Sequence, residues 1–482
     1  MNSPFTKIFS PYFDYLRRHF QVLTDEVVKN NITAGDVARD FLSVSRRRNS
    51  FLPVADEMRQ FILQFWKTNE KPVLELLPRL KGLNARFGGD VGPQANDNMI
   101  QRTGLYFDTL IVPDPIYRIS QIVYESEINW HYYLLKYSIN QVLMAESYLA
   151  DIDPPIAILV PDTHLLDTKV SLPQIIKDGE IHTVLAVNKL YGIKLDSFQA
   201  VEEYFKRFNS LKDAVNAIQD SQLFWFDEDA DRNPQDQIDS VIKFHSKDFD
   251  SSKLPFSLHD ARFLPWMLRG RMMQAADAYR SAIENNALPL IAAPVSFHWF
   301  SFRFSSGQSL ISRELQIEDV PNLVVTNALL SSSLDWLGNV PVKSLVQLRE
   351  KGTLRDLREF LAGSLSSFNN LSTSSISDAA NRIDRDISDA LKKHQSEVHQ
   401  LNASLKTELA ITVPTLLASV VASLQPTVLS LLPQWMPGLA AVVGTSSVAK
   451  LLRYSVDYYR KSGVLRESAF GILWDAKQKS EA

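Results

Sequence analysis

Three aspartates stand where β-rich runs of the chain give way to turns. Asp108 lies within the run Leu105–Val112, Asp114 follows it in Pro113-Asp114-Pro115, and Asp162 follows Ile156–Val160 in Pro161-Asp162. Aspartate just after a strand is a turn residue that caps the next helix, which accounts for each one singly. The carboxyl ends of strands in an open α/β sheet are also where ligands and metals bind. If these strands are neighbours, Asp108, Asp114 and Asp162 make a carboxylate cluster for Mg²⁺-assisted phosphodiester hydrolysis, and Mg²⁺ is a cofactor only on that reading.

A second constellation is His259-Asp260, the one adjacent histidine–aspartate pair. Such a pair supplies two metal ligands in mostly helical metal-dependent phosphohydrolases, where an upstream His (here His131, His164 or His182) and a downstream Asp complete the set. A third is Asp227-Glu228-Asp229-Ala230-Asp231-Arg232-Asn233, which resembles the start of a Ca²⁺ loop. Arg232 replaces the glycine of the sharp turn and Ile238 the final bidentate glutamate, so a solvated acidic loop is expected. His298, in Phe297-His298-Trp299-Phe300, reads as a satisfied core residue. Arg349, Arg355 and Arg358 recur at helical spacing beside Glu350, Asp356 and Glu359, the pattern of surface ion pairs.

Other chemistries lack their residues. Gly88-Gly89 and Gly92-Pro93 lie in a loop expected over Arg86–Asn98, without a Walker lysine or a Rossmann triplet of glycines. No Gly-x-Ser-x-Gly elbow is present. Cysteine is absent, which excludes disulfides, a thiol nucleophile and a thiolate metal site, and suits a reducing cytosol. The net charge of −4 gives no field that would recruit nucleic acid. Arg46-Arg47-Arg48, a short basic run, reads as a solvated helix end. Met1-Asn2-Ser3-Pro4-Phe5 has no basic stretch leading into an apolar one, so a cytoplasmic protein is expected, peripheral at the inner membrane if it meets one.

The elements that would position these residues are mostly helices. Residues 11–80 carry two apolar stripes, Tyr12, Tyr15, Leu16, Phe20, Leu23 and Val27, then Met58, Phe61, Ile62, Phe65 and Trp66, with Pro53 at the start of the second helix. Leu105–Val112 and Ile156–Val160 are strands flanking an aromatic helix over Ile116–Leu149. Glu180–Leu223 and Phe263–Glu284 are helical. The short apolar runs Leu288–Val295 and Pro321–Val325 complete a small sheet, and Val340–Leu365 makes two helices around Gly352. The fold class is therefore mostly α with a small α/β or α+β middle region. Its expected divisions are an N-terminal helical region 1–100, a mixed core 101–362, a serine-rich joint 363–377 and a helical C-terminal region 378–482.

That C-terminal region carries the strongest pattern. Ile376, Ala379, Ile383, Ile387, Leu391, Val398, Leu401, Leu405 and Leu409 recur in steps of three and four, with His394 filling the gap, as on one face of a long amphipathic or coiled-coil helix. Ser375 and Asp378 suit a capping box at its start. From Leu409 to Ala449 the chain has no charged residue, and Pro414, Pro426, Pro433 and Pro437 divide that run. Short helices buried all round are the commoner source of such a stretch, and a membrane-active hairpin is the other.

The segments Leu105-Tyr106-Phe107-Asp108 with Ile111-Val112-Pro113-Asp114-Pro115, Val320-Pro321-Asn322-Leu323, and Leu348-Arg349-Glu350-Lys351-Gly352-Thr353-Leu354-Arg355-Asp356-Leu357-Arg358 resemble a group of uncharacterised bacterial cytosolic proteins. The resemblance covers these three patches; it implies a bacterial origin and no activity. The residues point to a non-enzymatic helical interaction or assembly protein without a cofactor. Its contact, with a protein partner or another copy, would run through 376–409. Membrane contact through 409–449 would make it a membrane-acting effector of a bacterial defence (antiviral) or toxin system. The alternative is a metal-dependent hydrolase or nuclease using the strand-end aspartates.

Overall fold

A computed structural model of the chain describes residues 3–88, 99–121, 127–161, 171–227, 233–248, 255–291, 293–306, 328–329, 340–364 and 373–416, and in the C-terminal part 461, 464, 465 and 467–474. The chain divides into two units. The first comprises Met1–Val346 and Arg358–Ile383, the second Gln347–Leu357 and Asp384–Ala482.

The first unit opens with α1 (Pro4–Asn30), α2 (Ala34–Ser43) and α3 (Ser45–Leu76). Proline at the first position of α1 loses nothing, because a first-turn amide has no partner inside the helix. Asn31 ends α1 in the left-handed region, φ 51°, with its N–H on the Val27 carbonyl. A capping box of Thr33 and Asp36 starts α2. In α3 the helix already runs from Ser45, so Pro53 lies inside it and not at its start. Arg46 and Arg47 are exposed in its first turn, the solvated helix end expected of them. The two expected stripes face inward: Phe9, Tyr12, Phe65 and Trp66 pack ring against ring, and Phe13 stacks on Tyr148 of α6 (Glu127–Leu149).

The sheet follows. Strands β1 (Asn84–Phe87), β2 (Thr109–Pro113), β3 (Ala157–Val160) and β4 (Leu288–Leu290) are all parallel, in the order β3-β2-β1-β4. Thus β1 is an inner strand, although a loop was expected from Arg86 and no element over Asn84-Ala85. One expectation is corrected beside it: Leu105–Asp108 is not strand but the turn that follows α4 (Met99–Thr103). Of the helix expected over Ile116–Leu149 the structure describes α5 (Pro115–Gln121) and α6, and 122–126 lies outside the described residues. The run Leu288–Val295 is strand only to Leu290, with α12 (Pro294–Ser306) starting at its proline. Pro321–Val325 lies outside the described residues.

Between β3 and β4 the chain forms α7 (Ser171–Tyr191), α8 (Phe198–Phe205), α9 (Leu211–Asn216), α10 (Pro234–Asp248) and α11 (Phe263–Glu284). Their shared core includes Leu190, Tyr191, Phe205, Phe226, Leu268, Met272 and Trp299. Helices α7 and α11 approach closely at Gly179, where an added Cβ would lie 2.5 Å from Met273 Cγ and 3.2 Å from its backbone nitrogen. Gly179→Ala is therefore expected to destabilise the fold by about 1–3 kcal/mol, as overpacking against backbone does, and a urea titration measures it.

Helices α13 (Val342–Glu350) and α14 (Leu354–Ser364) turn at Gly352, whose φ of 72° favours glycine. The long helix α15 spans Thr373–Leu416; at about 1.5 Å per residue its 44 residues run about 66 Å. It begins before Ser375, which lies inside its first turn and does not cap it. The serine-rich stretch is helical at both ends, 363–364 and 373–377, and 365–372 lies outside the described residues. Ala379, Ala380 and Ile383 are buried, as are Ile387, Leu391 and His394 in the second unit. Past His394 the same face is only partly covered, at Val398 and Leu401. In the second unit Lys351 pairs with Glu467 at 2.7 Å. Of the charge-free run, 417–449 lies outside the described residues. Among the described residues no helix is long and apolar enough to cross a membrane.

Candidate functional site

The strand-end aspartates occupy opposite ends of one strand. Asp108 precedes β2 and Asp114 follows it, so six residues of nearly extended chain, about 20 Å, separate them. They do not share a site with one another, and Asp162 lies outside the described residues.

Each of the two is held by partners of its own. Asp114 is wholly buried at the carboxyl end of β2, where α1, α3 and α5 meet. Its carboxylate accepts from Trp66 Nε1 at 2.6 Å, from the Tyr12 hydroxyl at 3.0 Å and from the Ile116 amide at 2.9 Å. The last bond makes it the cap of α5. Burial pushes its pKa up to about 6 against the opposing pull of Trp66, Tyr12 and the Ile116 amide. Burial, with Asp114 beside it, also raises Tyr12 well above the usual tyrosine range.

At the other end, Asp108 accepts the Leu83 amide at 2.7 Å while its own amide donates to the Leu83 carbonyl at 2.8 Å. This clasp starts β1 beside β2. Gly82, at φ 89°, leaves the space that the Asp108 carboxylate fills. Arg358 of α14 closes the arrangement: Nη2 lies 2.9 Å from Asp108 Oδ2 and Nε donates to the Tyr106 carbonyl at 2.8 Å. The surface ion pair expected of Arg358 is instead a long-range tie between α14 and the sheet.

The histidine–aspartate pair is divided in the same way. Asp260 binds Arg262 with both oxygens, at 2.9 and 2.7 Å, and accepts its amide, while the His259 side chain is exposed. The Arg262 hydrogen bonds hold the Asp260 carboxyl below its ordinary range. His131 is packed against Phe51 and Trp130 on α6, and His164 lies outside the described residues. Ile238, at the final position of the acidic loop, is buried in the helical core. Among the described residues no group of three or more His, Asp or Glu could hold a metal ion. His298 is half-buried, with its Nε2 2.9 Å from the Leu223 carbonyl, and burial lowers its pKa.

One cluster was not foreseen. His182 of α7 is buried, with Nδ1 2.8 Å from the Asp178 carbonyl and 3.5 Å from its carboxylate, and burial lowers its pKa. Arg303 of α12 reaches the same carboxylate at 2.9 Å and lies over the Tyr279 ring of α11. The Asp178–His182 spacing of four is visible in the sequence; Arg303, 125 residues on from Asp178, is not. A neutral imidazole held through Nδ1–H presents Nε2 as an acceptor, and this nitrogen is buried without a hydrogen-bond partner. The arrangement ties α7, α11 and α12 together. Comparison with known proteins finds no matching family, no matching curated protein and no matching solved structure.

Proposed function

We propose that this chain is an assembly protein whose contact runs through α15. The observation that supports this is the fate of its apolar face: it is covered from Ala379 to His394, half-open at Val398 and Leu401, and continued in the sequence by Leu405 and Leu409. An apolar face left half-open at Val398 and Leu401 is completed by another helix of matching period, and the simplest is the α15 of a second copy. Released from that packing, the charge-free run after Leu409 would supply the membrane-acting step of a bacterial defence or toxin effector. The hydrolase alternative draws no comparable support, since Asp108 and Asp114 stand apart and Asp260 is bound by Arg262.

Light scattering on the full chain tests the assembly step. The wild type is expected to be a dimer or larger, and Val398→Glu with Leu401→Glu to be a monomer with an unchanged circular dichroism spectrum. A monomeric wild type, or an oligomer indifferent to both substitutions, overturns it.

A further inference from the structure

We propose that His182 makes the contact between α7 and α12 an acid-released latch, closed while the imidazole is neutral and opened when the ring takes up a proton. The geometry fixes which charge state the closed form accepts. His182 is 1% exposed, and its Nδ1 lies 2.8 Å from the Asp178 carbonyl. A carbonyl oxygen only accepts, so Nδ1 carries the hydrogen of the neutral ring and Nε2 carries none. Protonation puts a hydrogen on Nε2, a buried nitrogen with no hydrogen-bond partner. The neutral ring leaves a lone pair unmatched there, whereas an imidazolium leaves a charged donor unmatched, which is the costlier state.

The groups around the ring act the same way. The carboxylate beside it belongs to Asp178, 3.5 Å from Nδ1, and Arg303 of α12 already holds that carboxylate at 2.9 Å. The Arg303 guanidinium lies over the Tyr279 ring of α11. A charged His182 therefore sets two buried cations against one carboxylate, and the contact that yields is the one tying α12 to α7. Other charged groups along α7 are matched elsewhere: Glu180 pairs with Arg269 of α11 at 3.4 Å, and Lys189 lies over the Phe302 ring of α12. Helix α8 meets α7 farther on, where Tyr204 and Phe205 pack against Tyr191. Burial is the largest influence on the imidazole and lowers its pKa; Arg303 adds to this and Asp178 opposes it.

An unfolded or opened segment protonates its histidine near about pH 6.5, while the closed latch resists until a lower pH. The closed form thus has its full advantage above about pH 6.5 and loses it as the pH falls below. Asp114 has the opposite sign, since its raised pKa lets acid stabilise the fold. A loosening with acid confined to α7 and α12 is therefore not its effect. The latch does not rest on the assembly reading and survives its failure.

Hydrogen exchange read by mass spectrometry on the full chain tests it, at about pH 7.5 and about pH 5.5, with each rate taken relative to that of the unstructured chain at the same pH. Protection of α12 in the wild type is expected to fall about tenfold at the lower pH, since one unit of displaced titration is a tenfold change, while protection of α6 does not fall. His182→Gln keeps a polar side chain that does not titrate, and the acid-dependent loss should be absent. Arg303→Met keeps an apolar stem over Tyr279 and removes the second cation, so the loss should be reduced; if either variant does not fold, the other decides. Wild-type α12 equally protected at both pH values, a loss spread over α6 as well, or a loss kept in full by either variant overturns the latch.

Discussion

Replacing Asp114 with alanine is expected to lower the unfolding free energy by about 4 kcal/mol. The substitution leaves the Trp66 indole N–H, the Tyr12 hydroxyl and the Ile116 amide without the acceptor they share, and a buried donor stripped of its partner costs about 1–3 kcal/mol. The loss should also depend on pH. Because burial raises its pKa to about 6, Asp114 is protonated in the folded state between about pH 4 and pH 6, where the unfolded chain has already released the proton. The folded state then binds more protons, so this stabilisation is complete at about pH 4 and is lost as the pH rises through about 6. It amounts to about 3 kcal/mol. Asp114→Asn has no such titration, so the stability gap between it and the wild type should narrow by about that amount from pH 4 to pH 7. Urea titrations at the two pH values measure it, and a gap constant with pH would mean that burial does not displace the pKa.

Removing the Arg358 side chain is the second large effect. Arg358→Ala takes away the cation at Asp108 and the donor to the Tyr106 carbonyl in one step, in a site less than a quarter exposed on either side. Breaking a buried pair from one side costs about 3–5 kcal/mol, and the residual exposure reduces this to about 2–3. Lysine should not restore it, because Arg358 uses Nε and Nη2 in two directions at once and an ammonium has only one centre. A double-mutant cycle with Asp108→Asn separates the pair from the carbonyl bond; zero coupling would show that the ion pair contributes nothing.

What the sequence revealed, and what it hid, follows from how local each signal is. Phe263–Glu284 was legible to both ends, since its apolar period is long and Asn285-Asn286 stops it. The N-terminal stripes were legible for the same reason. By contrast β1 is four residues, Asn84-Ala85-Arg86-Phe87, two of them polar, and it is a strand because β2 and β4 bond to both its sides. No local pattern carries that information, and β4 with Pro289 in its middle is equally quiet. The aspartates show the limit most clearly. Their positions beside strands were visible, but which end of which strand faces which was not, and that decides whether carboxylates meet. Arg358 could be placed on a helix, yet its tie to Asp108 joins residues 250 positions apart.

The place of β4 in the sheet also bears on how the chain folds as it is made. Strands β1, β2 and β3 can pair once the ribosome has released residues up to Val160, but the other flank of β1 waits for Leu288–Leu290. Throughout that interval an inner strand of the finished sheet is an unprotected edge, able to bond to any extended segment nearby. The nascent chain should therefore be most prone to aggregate while α7 to α11 are being synthesised, and arrests placed on either side of Leu290 should differ sharply in their dependence on chaperones.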